Sequence, residues 1–392
     1  IPESKMEDYK IMTTGQYGGI GALIQTQKDK VVISEPYKGF GADNAGLRAG
    51  DKIIKINGNN AVGKNSSEIR ELLGQPGTTL EMVIERPGTT ELIKKTVTRS
   101  EVKIKDVPYA GIVGDDIGYL RLTGFTSSAS AEVKVAINQL KEKGAKSLIL
   151  DLRGNGGGLL RESVNIVNFF VEQGTPVVST KGKIKDWDKE YKALSIPLDT
   201  EIPLAILING GSASASEIVS GSLQDNDRAV ILGSLSFGKG LVQNVRPLSY
   251  NSKLKVTVAK YYTPSGRCIQ KLDYSHKNKN GKANKVPDSL ITEFKTANSN
   301  RSVFDGQGIA PDIEVKRNLL SNISTSLLLK SLFFGYATEF RLKHDTIASA
   351  KDFSLSDDQY ENFVNYLADK DYEYTTESED LLVALEKAAK DD

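Results

Sequence analysis

Residues 147–160, SLILDLRGNGGGLL, run from a short apolar segment through a glycine-rich turn into a second apolar segment. The run from Ser147 to Asp151 predicts a buried strand, and Leu160 to Glu172 predicts a helix. The same order returns where an apolar strand from Pro203 to Ile208 precedes a helix from Ala215 to Leu223. This alternation predicts parallel βαβ units that bind ligands at the carboxyl ends of their strands.

Other elements extend this α/β pattern in both directions. Ile117 to Leu122 and Ala229 to Leu232 predict strands. Ala131 to Lys143 predicts an amphipathic helix that Gly144 ends. The polar stretch 271–306 predicts a long surface excursion. We assign residues 105–318 to this core.

Before the core, short β-rich runs alternate with turns. Residues 1–16 lead into a small, partly open barrel at 17–104, with a helix from Ser67 to Leu73. Its predicted strands are Val31–Ser34, Lys52–Ile56, Leu80–Ile84 and Leu92–Val97.

After the core, residues 319–392 predict a mainly helical extension. Two capping-box spacings begin at Ser356 and Thr376 and predict helix starts. The apolar residues expected to be buried by these helices are Phe363, Tyr366, Leu367, Leu382 and Leu385.

Composition excludes several classes of site. The 392 residues carry 51 Lys+Arg against 50 Asp+Glu, so net charge gives no support for a nucleic-acid partner. Neither His276 nor His344 has a setting typical of an active site, which argues against a Ser-His-Asp triad and against a histidine-rich zinc site. Cys268 is the one cysteine, and without a histidine partner it is better explained as a small strand-edge side chain.

Three glycine- and serine-rich segments are the candidates for chemistry. Residues 207–218 run from a strand through small residues into a helix whose N-terminus favours a developing negative charge, although a serine-rich N-cap explains them equally well. Lys239 lies between two glycines, and burial would lower its pKa towards that of a base; a surface lysine or a phosphate binder is the alternative. The amides of residues 154–158 suit half of an oxyanion hole or a nucleotide-phosphate loop.

Together these segments resemble the C-terminal processing peptidases, or tail-specific proteases, from about Glu3 to about Val315. The resemblance implies a crotonase-like α/β core in which Ser214 is the nucleophile and Lys239 the general base. Gln243, expected one helical turn after Lys239, would orient the lysine. The backbone N–H groups of Ala215 and Gly157 would hold the oxyanion.

The N-terminal module resembles a PDZ domain. Residues 17–22, YGGIGA, resemble its carboxylate-binding loop, and residues 45–53, AGLRAGDKI, resemble a stretch common in bacterial PDZ domains. The residues assigned to peptide-carboxylate binding are Gly18, Gly19, Ile20 and Gly21. Physically, an extended peptide adds to a sheet edge while an amide nest captures its C-terminus.

The resemblance implies a serine endopeptidase that cleaves proteins near their C-termini, needing neither metal nor cofactor. Its partners would be proteins and peptides with free C-termini, and homo-oligomerisation is left open. Relatives are exported, so we expect a bacterial periplasmic or envelope location and a targeting segment that Ile1–Ser4 does not provide. Two alternatives remain: a non-catalytic peptide-binding adaptor, and a crotonase-type acyl-CoA enzyme, which would leave Lys239 and the PDZ-like module unexplained.

Overall fold

The computed structural model describes residues 1–73, 77–316, 319–344, 346–350 and 352–391. The chain divides into two compact units, Ile1–Tyr17 with Lys103–Arg317 and Gly18–Val102 with Asn318–Asp392. The helical extension therefore groups with the N-terminal module. The predicted core boundary at residue 318 lies outside the described residues.

The first hundred residues consist of short strands and helices. The main sheet has the order β2-β3-β4-β6-β7 with β5 paired to β4, and β1 pairs separately with β8. After a 3-10 turn at Glu3–Lys5, the elements are α1 (Met6–Thr14), β1 (Gln16–Gly19), β2 (Ala22–Gln27), β3 (Lys30–Pro36), α2 (Gly41–Asn44), β4 (Lys52–Ile56), β5 (Asn59–Asn60), α3 (Ser66–Leu73), β6 (Thr79–Glu85), β7 (Ile93–Thr98) and β8 (Ser100–Lys103).

This module has a core of its own, made by alternation along its strands. On β6, Leu80, Met82 and Ile84 are buried and the residues between them are more exposed, as expected for a sheet with one covered face. Ile69 of α3 is fully buried in the same cluster. The strands and helix predicted for this region are confirmed within one or two residues at each end.

The remaining elements of the first unit alternate strand and helix before becoming mostly strand. Two further 3-10 turns lie at Lys185–Trp187 and Asp288–Leu290. The elements are β9 (Tyr109–Val113), β10 (Ile117–Arg121), α4 (Ala129–Glu142), β11 (Ser147–Asp151), α5 (Leu160–Asn168), β12 (Pro176–Gly182), β13 (Lys189–Lys192), β14 (Leu204–Ile208), α6 (Ala215–Asp225), β15 (Val230–Gly233), β16 (Leu241–Pro247), β17 (Lys253–Tyr262), β18 (Leu272–Lys277), β19 (Ala283–Lys285), β20 (Glu293–Lys295), β21 (Ser302–Phe304) and β22 (Ile313–Glu314).

Ten of these strands form a six-stranded sheet and a four-stranded antiparallel sheet, and β18–β21 form two separate pairs. The six-stranded sheet has the order β22-β15-β14-β11-β10-β9, and every neighbouring pair is parallel except β10 with β9. Asp151 lies opposite Leu207, and Leu207 lies opposite Leu232. The predicted parallel βαβ core is thus confirmed, and the loops after β11, β14 and β15 leave the same edge of the sheet. The second sheet has the order β13-β12-β17-β16.

One local prediction in this unit needs correction. Helix α5 ends at Asn168, four residues before the predicted end, where the buried Asn168 amide exchanges two hydrogen bonds with the main chain of Ser195. Residues 271–306, predicted as a long surface excursion, contain the antiparallel pairs β18–β19 and β20–β21. At the end of α5, bonding to a segment remote in sequence replaces the local helical preference.

In its described residues, the C-terminal extension contains four helices, α7 (Asn322–Leu329), α8 (Leu332–Lys343), α9 (Asp357–Leu367) and α10 (Glu377–Asp391). Both predicted capping boxes are present, at Ser356 with Gln359 and at Thr376 with Glu379. On α9, Leu367 is buried and Phe363 packs against aromatic rings of α8.

The predicted burial of Leu382 and Leu385 on α10 is wrong, because these side chains are 56% and 66% exposed. Amphipathic spacing on α10 defines an apolar face, but no described element covers it. Within the described ranges, no helix combines the length and apolar character needed to cross a membrane.

Candidate active site

The turn between β14 and α6 holds Ser214 in a strained conformation. Ser214 is the N-cap of α6 with φ 56° and ψ −111°, a region that non-glycine residues rarely adopt. A serine on a strained strand-to-helix turn has its hydroxyl exposed for nucleophilic attack in other hydrolases. The turn is held by the Glu217 carboxylate, which accepts a hydrogen bond from the Ser214 N–H at 2.7 Å.

The glycine-rich loop after β11 packs directly against this turn. A Cβ on Gly157 would lie 2.6 Å from the Ala213 oxygen and 2.9 Å from the Ser214 Cβ, and φ of Gly157 is 96°. Only glycine fits this approach. The buried Asn155 joins the two segments, because its carbonyl accepts bonds from the Ala213 N–H at 3.0 Å and the Ser216 hydroxyl at 2.9 Å.

This close approach makes Gly157→Ala a damaging substitution. The new methyl group would push the loop away from Ser214, and the positive φ adds strain, so we expect at least about a 100-fold loss of activity from misplacement near 1 Å. The matched control is Gly156→Ala, since nothing lies within 4 Å of a Cβ there. Equal turnover of the two variants on an unfolded protein substrate would contradict this prediction.

The two predicted oxyanion donors differ in their hydrogen bonding. Ala215 is the first residue of α6, so its N–H has no acceptor within the helix. The Gly157 N–H donates to the Asn155 Oδ1 at 2.9 Å. In this conformation the Gly157 N–H is already hydrogen-bonded to a neighbouring side chain, and its role as an oxyanion donor stays a prediction.

Glu217 also binds the loop that carries Lys239. Its Oε2 accepts from the Lys239 N–H at 2.9 Å, and its Oε1 accepts from the Gly238 N–H at 2.7 Å and the Ser236 hydroxyl at 2.5 Å. Glu217 is fully buried, and burial raises its pKa against the opposing effect of these hydrogen bonds. One carboxylate therefore organises both the serine turn and the lysine loop.

The surroundings of Lys239 favour its neutral form. Partial burial lowers the pKa of the ammonium group, and the positive charge of Lys255 lowers it further. The negative charge of Glu217 acts in the opposite direction, but the net shift is downward. A lysine with a lowered pKa can act as a general base at a lower pH than an ordinary lysine.

All five core residues singled out from the sequence line one cavity of about 540 Å³, namely Gly157, Ser214, Ala215, Lys239 and Gln243. Tyr9, Met12 and Thr13 of α1 and Lys255 of β17 also line it. The expectation that Gln243 follows Lys239 by a helical turn is wrong, because Gln243 lies in strand β16 beside a register irregularity. Valines at positions 242 and 245 favour this extended conformation.

Comparison with known proteins identifies the domains. The model of peptidase family S41 matches residues 116–275, and a PDZ domain model matches residues 9–85. Residues 116–275 therefore form an S41 peptidase domain. A third model, the C-terminal helical domain of probable PDZ-proteases, matches residues 323–392. The predicted family resemblance, the PDZ domain and the helical extension are confirmed, while the crotonase-like relationship stays a prediction.

Two bacterial relatives of this chain are named as carboxy-terminal processing proteases. The protein of Bartonella bacilliformis is 39% identical over 68% of this chain and 62% of the relative. Carboxy-terminal processing protease CtpA of Bacillus subtilis is 33% identical over 69% of this chain and 58% of the relative. The chain thus spans less than two thirds of the length of these curated relatives. A solved photosystem II D1 C-terminal processing protease is 29% identical over 82% of this chain and 78% of that chain, with a TM-score of 0.44.

In the PDZ domain, the predicted carboxylate-binding residues span a strand end and a bend. Gly18 and Gly19 end β1, whereas Ile20 and Gly21 form the bend before β2. Gly21 has φ 70°, and a Cβ there would collide with Phe40. The bend is fixed by hydrogen bonds from the Ala42 N–H to the Ile20 oxygen at 2.7 Å and from the Tyr37 N–H to the Gly21 oxygen at 2.8 Å.

Among the described residues, neither Cys268 nor a histidine lines the cavity that contains Ser214. Cys268 is half-buried and burial raises the pKa of its thiol, which disfavours the reactive thiolate. His344 stacks on Phe340 of α8, and the side chain of His276 lies outside the described residues. No group of three or more metal-binding side chains occurs among the described residues.

Sequence reasoning missed three residues that contact this site. Glu217 stands three positions after Ser214, and that Ser-x-x-Glu spacing is a capping-box signal that could have identified it. Asn155 was seen only as part of the glycine-rich loop. Tyr261, whose hydroxyl donates to the Lys239 oxygen at 2.6 Å, has no local sequence signal at all.

Proposed function

We propose that this S41 peptidase is a serine endopeptidase that cleaves proteins near their C-termini through a Ser214–Lys239 dyad. The observation that carries the proposal is the shared cavity: both side chains line it, and one Glu217 oxygen bonds both of their main-chain N–H groups. The strained φ of Ser214 and the lowered pKa of Lys239 also support a nucleophile and a base.

In the proposed reaction, neutral Lys239 removes the proton from the Ser214 hydroxyl as its oxygen attacks a peptide carbonyl. The Ala215 N–H and an amide of the glycine-rich loop stabilise the negative charge on the carbonyl oxygen. Protonated Lys239 then gives its proton to the leaving amine, and the peptide C–N bond breaks. Lys239 next deprotonates a water molecule, whose oxygen attacks the Ser214 ester carbonyl. The bond to the Ser214 oxygen breaks, that oxygen takes the proton back from Lys239, and the new C-terminus is released. Gln243 would orient the lysine.

We propose that the PDZ domain binds the free C-terminus of the substrate through Gly18, Gly19, Ile20 and Gly21. Backbone amides in such a bend bind a terminal carboxylate while the peptide extends the sheet along its edge. The proposed location is the bacterial envelope or periplasm. The proposed partners also include further copies of the chain in a homo-oligomer.

The direct test is digestion of an unfolded protein, with the fragments identified by mass spectrometry. We expect cleavage sites near the C-terminus and fragments that carry newly formed C-termini. Tight binding of the substrate with no cleavage under any condition would support the adaptor alternative and overturn the proposal.

We predict that amidation of a peptide's C-terminus weakens its binding to the inactive Ser214→Ala chain. Amidation removes charge-assisted hydrogen bonds worth about 1.5–3 kcal/mol each, which corresponds to at least about a tenfold loss of affinity. Fluorescence anisotropy with a free and an amidated peptide of the same sequence measures the difference.

Substitutions at two glycines with positive φ test whether peptide binding depends on the carboxylate-binding loop. Gly21→Ala should weaken binding of the free peptide, because its Cβ collides with Phe40. Gly39→Ala is the matched control, since it has φ 84° but nothing within 4 Å of a Cβ. Equal binding of free and amidated peptides would show that the PDZ domain does not capture a carboxylate.

A further inference from the structure

Two buried side chains, those of Glu217 and Tyr261, each form hydrogen bonds with the main chains of both Ser214 and Lys239. Glu217 Oε2 accepts from the Ser214 N–H at 2.7 Å and from the Lys239 N–H at 2.9 Å. The Tyr261 hydroxyl lies 2.6 Å from the Lys239 oxygen and 3.2 Å from the Ser214 oxygen. The N–H and the C=O of both residues therefore contact the same two side chains, the Glu217/Tyr261 pair.

Both members of the pair are held firmly in place. Glu217 lies on α6 with an exposed fraction of 0%, and the Ser236 hydroxyl that donates to it also accepts from the Ile309 N–H at 2.6 Å. Tyr261 lies on β17 with an exposed fraction of 1%, and its N–H donates to the Gly240 oxygen at 2.9 Å. The pair thus joins a helix, a strand and two loops.

We infer that Glu217 and Tyr261 are positioning residues that hold Ser214 and Lys239 at the distance proton transfer requires. This inference rests on the proposed Ser-Lys chemistry. A general base must come within about 2.6–3.2 Å of the proton donor, and an error near 1 Å can cost about 100-fold in rate. Ser214 and Lys239 sit on separate loops, so their spacing depends on bonds between those loops.

The two members of the pair differ in charge, so their substitutions should affect the pH dependence of activity differently. Burial raises the pKa of Tyr261 well above its usual value, so it stays a neutral donor. Ionised Glu217 raises the pKa of Lys239 through its negative charge. Removing the Tyr261 hydroxyl should leave the pH dependence of activity unchanged. Removing the Glu217 charge should lower the pKa of Lys239 and move the ascending limb of activity to lower pH.

The experiment compares the full chain with its Tyr261→Phe, Glu217→Gln and Tyr262→Phe variants. Tyr262 is the matched control, because adjacent residues of a strand face opposite sides and Lys181 contacts its ring face. For each protein we would measure kcat and KM on one unfolded substrate, the pH dependence of kcat/KM, the melting temperature, and amide hydrogen exchange at Ser214 and Lys239.

We expect Tyr261→Phe to lower kcat by about 10- to 100-fold with KM within about twofold, and with an unshifted ascending limb. Glu217→Gln should lower kcat at least as much and also shift the limb to lower pH. Exchange of the Ser214 and Lys239 amides should be faster in Glu217→Gln, because a neutral amide oxygen accepts these hydrogen bonds more weakly than a carboxylate oxygen and only one acceptor oxygen remains. Tyr262→Phe should match the unmodified chain in every measurement.

Several outcomes would overturn the inference. One is kcat for Tyr261→Phe equal to that of Tyr262→Phe, and another is a loss that lies entirely in KM. Unchanged amide exchange at Ser214 and Lys239 in Glu217→Gln would also reject it. The exchange measurement does not require activity, so it tests the Glu217/Tyr261 pair even if the unmodified chain fails to cleave. Failure to cleave would reject only the proposed function.

Discussion

Ser214→Ala is expected to abolish cleavage of an unfolded protein, with a loss on the order of 10⁴–10⁶-fold in kcat. Alanine keeps the Cβ, and the Ser214 main chain keeps its hydrogen bonds to the Glu217 carboxylate and to the first turn of α6. The substitution should therefore remove the nucleophile and leave the fold intact. Turnover of a labelled substrate and circular dichroism of the purified variant measure the two effects separately.

The choice of control serine depends on the structure. Ser212 and Ser216 are buried, and their hydroxyls donate to the Leu152 and Asn155 oxygens, so alanine there would disturb the loops around the site. Ser249 is exposed in the turn between β16 and β17 and is the better control. Ser249→Ala should retain normal activity. Wild-type turnover by Ser214→Ala would end the proposal of a serine nucleophile.

Lys239→Arg is expected to be inactive although it preserves the positive charge. A guanidinium group cannot be deprotonated at usable pH, so it cannot accept the Ser214 proton. Loss of a general base costs about 10²–10⁴-fold, and the larger side chain adds misplacement to that cost. Lys239→Met, which keeps the length without the charge, should be equally inactive. An active arginine variant would show that the residue acts only as a fixed positive charge.

The pH dependence of the unmodified enzyme gives a second measure of Lys239. Because its pKa is lowered, the neutral base accumulates below the usual lysine range, and activity should rise with pH through that lowered pKa. Lys255→Gln removes a positive charge that lowers this pKa. The ascending limb should therefore move to higher pH, opposite to the shift expected for Glu217→Gln. A shift in the same direction for both variants would show that Lys239 is not the titrating group.

The fold was predictable where local pattern and tertiary environment agree. The strand Ser147–Asp151 was located to the residue, because an apolar run between a lysine and a glycine-rich turn leaves little freedom in its ends. Leu382 and Leu385 show the opposite case. Spacing identifies the apolar face of a helix, but burial needs a partner element, and spacing contains no information about one.

The candidate site was likewise predictable from the sequence only in those features that local pattern determines. The sequence by itself placed Gly157, Ser214 and Lys239 after neighbouring parallel strands, since chain direction and hydrophobic periodicity are local properties. Only the tertiary structure decided that Gly157 contacts Ser214, that Tyr261 reaches both main chains, and that the pKa of Lys239 falls. Close contact, long-range hydrogen bonding and desolvation depend on segments that are far apart along the chain. Their combined effect exists only once those segments have packed together.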